Sequence, residues 1–554
     1  MYNLLVGGAA GQGVDTAVNT LEALLKAAGC GVFTIRDLMS RIRGGHNFSL
    51  VRFGEFTPKS HSAKLDGIIA LNEETVTIHR DNLKPEGFIL CDESVKTDDP
   101  RAITLNMTGI AKLLGSAKAS GSVAMGAALR LFSVPIDGSR EVFEKSLKPN
   151  LVDMNVKALE AGYRAVEPRF DHVGGTHAGD MIITGNKALA LGALTAGLQF
   201  YAAYPMSPST SILEYLAQHS LKMGIAVEQA EDEIAAINMA IGASYTGARS
   251  MTGTSGGGFS LKVEALGLAG MAEVPLVVVD VQRPGPVTGL PTRTEQSDLK
   301  FIISASQGEF PRMVIALRHH EDAYRQTIRA FNLAEKYQIP VILLSDQYLA
   351  DSTATIPVPD PAKAEIFVPQ DVPANGDYAR YRYTENGISP RKFPGTREGF
   401  VSADSDEHDE YGKIIEDSET RIRMMNKRMG KLELLREDLQ EPELLGDSDP
   451  QILLIGWGSL YGPLEEAVAI LNAQGGKRYG ALVFGDVWPL PDRLLREKAA
   501  KAEKLIHVEQ NYTGQLASLI REQTGIQTDK GILKFDGRQL SGEEIALRLR
   551  EEGF

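Results

Sequence analysis

The sequence predicts a multidomain α/β protein, and three observations carry that expectation. Its 554 residues exceed what one hydrophobic core serves, so about three or four domains are expected. At the start, a strand-like Leu4-Leu5-Val6 runs into Gly7-Gly8-Ala9-Ala10-Gly11-Gln12-Gly13 and then an amphipathic helix through Asn19 to Ala28. That is the strand, glycine turn, helix order of an α/β unit. Further on, continuous apolar runs such as Val274-Pro275-Leu276-Val277-Val278-Val279 and Pro340-Val341-Ile342-Leu343-Leu344 alternate with helical segments, which marks a parallel sheet covered on both faces.

Four blocks follow in order. Residues 1–168 form the first α/β block. Its glycine turn is compatible with cradling a dinucleotide phosphate, but the spacing is not a clean G-x-G-x-x-G and no acidic residue stands in a convincing ribose position. Within it, Arg41-Ile42-Arg43-Gly44-Gly45-His46 precedes an alternating strand, Phe48 to Phe53; the two arginines suit an anionic group, or simply solvent. A linker rich in Gly and His, Asp171 to Gly179, leads to the parallel-sheet block, 180–358. Residues 359–447 carry many prolines, the acidic run Asp404 to Glu410 around His408, and a highly charged helix near Glu416 to Leu435. This block is expected to be an extended insertion whose helix is mainly solvated, with His408 either salt-bridged at the surface or functional. The closing block, 449–554, repeats the α/β pattern with Ile452 to Ile455, Ala481 to Phe484 and Lys504 to Val508.

Composition narrows the partners. With 58 basic and 72 acidic residues the formal net charge is −14, and no dense Lys/Arg block occurs, which argues against nucleic acid and anionic membranes. The longest apolar stretch, around Ala188 to Ala203, is broken by Thr195 and Gln199 and is too short to span a bilayer. Without a signal-peptide pattern, a cytoplasmic location is expected. Cys30 and Cys91 are the only cysteines, so this chain by itself lacks the set of about four ligands that zinc or an iron–sulfur cluster needs. Both are expected to be small buried apolar residues.

The chemistry-bearing signals concentrate in the parallel-sheet block. Tyr204-Pro205-Met206-Ser207-Pro208-Ser209-Thr210 follows the apolar run Leu198 to Tyr204, so two prolines bracket the Ser207 hydroxyl at a strand end, where α/β folds bind ligands. A structural turn capping a helix that starts near Ser209 is the alternative. Next come Glu228 to Glu233 and a helix of small and apolar residues. Glu231 and Asp232 fit capping and the helix dipole. Glu233 shares a face with Ala236, Ile237, Ala240 and Ile241, which points it into apolar surroundings where a carboxyl must be paired, protonated or used. Thr254-Ser255-Gly256-Gly257-Gly258 lets backbone approach a ligand closely. Arg283 then stands at the carboxyl end of the strand Leu276 to Val281, beside a stiff loop of prolines and glycines, where a guanidinium grips a carboxylate.

Assembled, these segments resemble the 2-oxoacid:ferredoxin oxidoreductases, thiamine diphosphate enzymes. The chain looks like their large subunit with gamma and alpha regions fused, most like the 2-oxoglutarate type. Gly7 to Gly13 and Arg43-Gly44-Gly45 match the gamma region, Tyr204 to Thr210 matches a Y-P-I-T-P-S loop, and Arg283 to Asp298 matches R-P-G-P-x-T-G-L-P-T-x-T-E-Q-x-D. Gly456-Trp457-Gly458-Ser459 and Glu509 to Gln515 resemble a transketolase-C-like closing domain. The resemblance implies a gamma-type domain, a pyrimidine-type thiamine diphosphate domain and that closing domain. It implies oxidative decarboxylation of a 2-oxoacid, acyl transfer to coenzyme A, and electrons passed to ferredoxin.

By the same resemblance a separate beta subunit carries the diphosphate, Mg²⁺ and a [4Fe-4S] cluster, in a heterodimer or dimer of heterodimers. This chain has no Gly-Asp-Gly motif, the nearest being Gly485-Asp486-Val487. The implied roles are Glu233 on the pyrimidine nitrogen, with Glu231 as the alternative, and Thr254, Ser255 and Gly256 around the cofactor. Ser207 and Arg283 would bind the 2-oxoacid, Thr292 and Arg293 its distal carboxylate, and Arg41 and Arg43 coenzyme A. Met206 stands for the usual isoleucine and Gly257 for a common proline, which bears on specificity. Two rivals are a relative acting on pyruvate or branched-chain 2-oxoacids, and a non-catalytic dinucleotide-binding or scaffold protein resting on the Gly7 to Gly13 turn.

Overall fold

The computed structural model describes residues 1–38, 45–369, 378–395 and 401–554. The chain divides into two compact units, one of Met1–Thr184 with Asp351–Pro359, the other of Gly185–Ala350 with Asp360–Phe554.

The first unit is built on an eight-stranded sheet, and the N-terminal strand Tyr2–Ala9 lies inside it. On one side this strand pairs in parallel with Leu65–Ala70, the start of a parallel half; on the other it pairs antiparallel with His46–Gly54, so the sheet is mixed. The glycine turn leads into the helix Val14–Ala27, whose Val18, Leu21 and Leu25 join Phe53, Phe88 and Phe132 in the core. Cys30 and Cys91 are buried as expected, and burial pushes the Cys30 thiol up to about 11.

Two expected boundaries shift. The Asp171 to Gly179 stretch, expected to be a linker, is fastened to this unit. Gly175 N–H donates to the Gly29 carbonyl at 2.9 Å, and His177 N–H donates to the same oxygen at 3.1 Å. The strand Thr353–Ile356, inside the expected 180–358 block, pairs with Gly31–Leu38 and Met181–Thr184 of the first sheet. Side chains fasten it there as well: Arg36 meets the buried Glu22 at 3.1 Å, Thr353 Oγ1 donates to the same Glu22 oxygen at 2.5 Å, and Val32 N–H donates to Thr355 Oγ1 at 3.0 Å.

The second unit contains two sheets. One is seven-stranded and runs through Ala226–Gln229, Phe200–Ala203, Ser250–Thr254, Leu276–Gln282, Pro340–Asp346 and Met313–Ala316, all parallel, before an antiparallel edge at Asp486–Trp488. Its three central strands are buried at every position, which is why Leu276–Gln282 and Pro340–Asp346 read as largely apolar. The other sheet, five-stranded, closes the chain around Ile452–Trp457, Tyr479–Phe484 and Lys504–Glu509. It starts before residue 449, because Glu443–Gly446 forms its antiparallel edge.

The charged helix, Ser418–Leu435, keeps a solvated face, with Glu419, Arg421 and Arg423 exposed, but buries part of its charge. Lys427, Arg428 and Lys431 are buried, the two lysines on Glu273 and Arg428 on Glu407. His408 is not at the surface and has no salt bridge among the described residues: it is 0% exposed, packed on the Tyr381 ring at 4.0 Å, and hydrogen-bonded from Nδ1 to the Asp406 carbonyl. Asp486 of the Gly-Asp-Val sequence is consumed by a two-pronged pair with Arg329 at 2.6 and 2.7 Å. No helix among the described residues is long and apolar enough to cross a membrane.

Candidate active site

The site grows from the carboxyl ends of the parallel strands in the second unit. Ser250–Thr254 delivers Thr254 and Ser255, and the helix Gly256–Met271 begins immediately after them. Opposite stands the helix Glu233–Tyr245. Asp232 caps it by accepting from Ala235 N–H at 2.7 Å, so the capping reading holds for Asp232. Glu231 is exposed, whereas Glu233 is only 4% exposed and lies on the buried face with Ala236, Ile237, Ala240 and Ile241. Among the described residues its Oε1 has no hydrogen-bond partner, and neither does the buried Ser255 Oγ.

Gly258 shows how tightly this corner is built. A Cβ there would lie 2.2 Å from Thr254 Oγ1 and 2.6 Å from Glu233 Oε1, closer than any side chain tolerates. Glycine is what lets the helix start pass over the carboxylate. A buried carboxylate oxygen left unpartnered beside a glycine cradle fits the pyrimidine half of thiamine diphosphate, whose ring nitrogen brings the missing hydrogen-bond partner. Among the described residues no group of three or more His, Cys, Asp or Glu is arranged to hold a metal ion.

The Arg283 segment borders the same corner at two points. The ideal Cβ position of Gly257 is 3.4 Å from the Val287 carbonyl oxygen, and that of Gly256 is 2.4 Å from Asp298 Oδ2. The loop closes on itself where Leu290 N–H donates to the Pro284 carbonyl at 3.1 Å, with Gly289 at φ +53. Arg283, at the end of the strand as expected, donates to the Ser207 carbonyl oxygen at 2.6 Å and so joins the two proline loops. Partial burial lowers the pKa of its guanidinium, a cost that a bound carboxylate would offset. Ser207 is half-buried just before the helix Thr210–Met223, next to a cis bond to Pro208.

Thr292 and Arg293 are half-buried farther along the segment, and Arg293 Cβ lies 3.0 Å from the Cβ position of Gly537 in the closing block. Arg41 and Arg43 lie outside the described residues.

Two features escaped the sequence reading. Lys262 sits fully buried beneath Glu233; the signal was its place in the period of Phe259, Ala265, Leu266 and Ala269 on an apolar helix face. The buried Asp280 faces the half-buried Asp298 as a carboxyl pair, whose only sequence signal is one acid inside the apolar strand Leu276–Gln282.

Comparison with known proteins accords with this layout. Residues 191–427 match the family model described as pyruvate flavodoxin/ferredoxin oxidoreductase, thiamine diP-bdg, and residues 3–165 match that of pyruvate ferredoxin/flavodoxin oxidoreductase. The 2-oxoacid:ferredoxin oxidoreductase subunit alpha of a Sulfolobus species is 33% identical, over 98% of this chain and 95% of its own. The 2-oxoglutarate oxidoreductase subunit KorA of Mycobacterium tuberculosis is 33% identical over 88% of this chain and 77% of its own. A solved structure of 2-oxoglutarate:ferredoxin oxidoreductase from Magnetococcus marinus, with 2-oxoglutarate, coenzyme A and succinyl-CoA bound, matches with a TM-score of 0.93 at 34% identity. That match covers 100% of this chain and 99% of the other. The chain therefore belongs to the 2-oxoacid:ferredoxin oxidoreductases, oxidoreductases with an iron–sulfur acceptor, as an alpha subunit with a thiamine diphosphate-binding domain.

Proposed function

We propose that this chain is the alpha subunit, with gamma and alpha regions fused, of a coenzyme A-dependent 2-oxoglutarate:ferredoxin oxidoreductase that yields succinyl-CoA and CO₂. The observation that carries the cofactor half of this reading is the buried, unpartnered Oε1 of Glu233 against Gly258. The substrate half rests on likeness to proteins named for 2-oxoglutarate. The generic name of the Sulfolobus relative supports a second reading, a broader range of 2-oxoacids including pyruvate.

Thiamine diphosphate supplies the chemistry that cleaves the bond to the departing carboxyl group. Glu233 would hydrogen-bond the pyrimidine nitrogen through its Oε1, from a buried helix face that it shares with Ala236, Ile237, Ala240 and Ile241. Thr254, Ser255 and Gly256 line the cofactor at the helix start. Arg283 binds the substrate carboxylate in two-pronged fashion, Ser207 offers its hydroxyl to the same end, and Thr292 with Arg293 receives the distal carboxylate. Arg41 and Arg43 of the gamma region contact coenzyme A. A beta subunit brings the diphosphate, Mg²⁺ and [4Fe-4S] sites, ferredoxin takes the electrons, and the assembly is a heterodimer or a dimer of heterodimers in the cytoplasm.

The test is anaerobic dye reduction by the complex purified through this chain. Reduction that requires coenzyme A and prefers 2-oxoglutarate supports the assignment. Preference for pyruvate or branched acids removes the substrate, and no reduction with any 2-oxoacid in the presence of a cysteine-rich partner removes the catalytic reading.

A further inference from the structure

Lys262 is 0% exposed, on a helix face otherwise made of Phe259, Ala265, Leu266 and Ala269. Lysine is almost never wholly buried unless its charge is answered. Its Nζ donates to the Glu233 backbone carbonyl at 3.1 Å and to Thr252 Oγ1 at 2.9 Å. Those neutral acceptors satisfy two N–H bonds and leave the charge. Burial lowers the amine's pKa to about 8, and the carboxylates that oppose this are Glu233 first and Asp232 second. Asp232 is exposed and occupied with the cap of its own helix, so the buried counter-charge is Glu233.

The dependence runs both ways. Losing the ammonium would free the first turn of the Glu233 helix from the strand, and losing the carboxylate would leave the ammonium alone among apolar side chains. We infer that Lys262 is a positioning residue for the cofactor half-site: it pins the head of the Glu233 helix to the strand Ser250–Thr254 and so keeps the Glu233 carboxylate aimed. The inference rests on the proposed role of Glu233 toward the pyrimidine ring. It adds a residue that touches neither cofactor nor substrate.

The experiment uses the intact complex and two readouts, thiamine diphosphate affinity and kcat set against the KM for the 2-oxoacid, with thermal melting as the check on folding. Lys262→Met keeps the length and packing of the side chain and removes the charge. The expected result is cofactor binding weakened about tenfold, as for loss of one charged hydrogen-bonding group, with kcat lowered and the KM for the 2-oxoacid unchanged. The melting temperature is expected to stay the same or rise, since a buried charge has gone. Lys262→Arg restores most of the affinity. In a Glu233→Gln background, Lys262→Met weakens binding no further, because the two residues act as one unit.

Thr252→Val removes one acceptor of the ammonium and is expected to weaken cofactor binding in the same direction, which keeps the test open if Lys262→Met does not fold. Wild-type affinity with unchanged kcat in Lys262→Met overturns the inference. So does an effect that simply adds to that of Glu233→Gln. A Glu233→Gln complex with unchanged affinity and turnover removes the underlying reading instead, and so separates the two failures.

Discussion

Arg283 holds the carbonyl oxygen of Ser207 at 2.6 Å, tying together two loops whose residues are 76 positions apart. Among the described residues one N–H of its five-donor fork is spent on the protein, which leaves the others for a planar anion. Replacing Arg283 by Lys keeps a charge but loses the fork. The expected outcome is a KM for the 2-oxoacid raised on the order of 10- to 100-fold, the worth of a charged hydrogen bond, with a smaller loss in kcat. Steady-state kinetics on the complex decides it, and an unchanged KM would remove Arg283 from the substrate site.

Gly258→Ala tests the cradle. The added methyl would sit 2.2 Å from Thr254 Oγ1 and 2.6 Å from Glu233 Oε1, so either the helix start or the carboxylate must move. Overpacking of this kind costs about 1–3 kcal/mol. Here the displaced group is also the cofactor's partner, so thiamine diphosphate affinity is expected to fall more than the melting temperature suggests. Calorimetric titration beside a melting curve separates these effects, and full affinity in the variant would show that the carboxylate needs no such clearance.

Much of the site was legible because its signals are local. The face shared by Glu233, Ala236, Ile237, Ala240 and Ile241 follows from helix period alone, and the structure buries that face. Arg283 was placed by the apolar strand that ends just before it. What was not legible is long-range. The strand Thr353–Ile356 reads like a continuation of the parallel-sheet block, and its place in the first sheet rests on pairing with Gly31–Leu38 and Met181–Thr184 and on the distant Glu22 to which Thr353 donates. The mixed charges of Ser418–Leu435 read as solvated because their partner, Glu273, lies 154 positions from Lys427. Periodicity locates a face; it does not reveal which distant acid waits for a lysine.

The Asp280–Asp298 pair makes stability depend on pH. With both groups ionised, neither oxygen of Asp280 has a hydrogen-bond donor among the described residues. Burial, then the facing Asp298 charge, drives Asp280 well above the usual carboxylate range, so it carries the proton and donates it to Asp298. Asp298 is itself raised to about 6, first by burial and then by Glu295. Folded values above the unfolded value of about 4 mean that the folded state binds more protons. The stabilisation is therefore complete below that value and is lost as pH rises through about 6. Asp280→Asn supplies a permanent donor and is expected to flatten this loss, on the order of 1–3 kcal/mol at pH 8. Urea melts at pH 5 and pH 8 check it; equal pH dependence in wild type and variant would show that the pair does not share a proton.

The buried acid under the charged helix sets a second stability expectation, of opposite pH sign. Glu273 is 1% exposed and receives Lys427 Nζ at 2.5 and 2.8 Å, with Lys431 on the same carboxylate. Burial alone would raise its pKa, but Lys431, Lys427 and Arg380 together hold it well below the usual range. Its contribution is thus present above the unfolded carboxylate value of about 4 and is lost only on strong acidification. Glu273→Gln leaves two lysines inside the protein with no counter-charge, at a cost of about 3–5 kcal/mol. Replacing the whole cluster, Glu273→Gln with Lys427→Met and Lys431→Met, removes the stranded charges as well and is expected to recover most of that loss. If the triple variant melts as low as Glu273→Gln, the carboxylate's hydrogen bonds and not its charge anchor the helix.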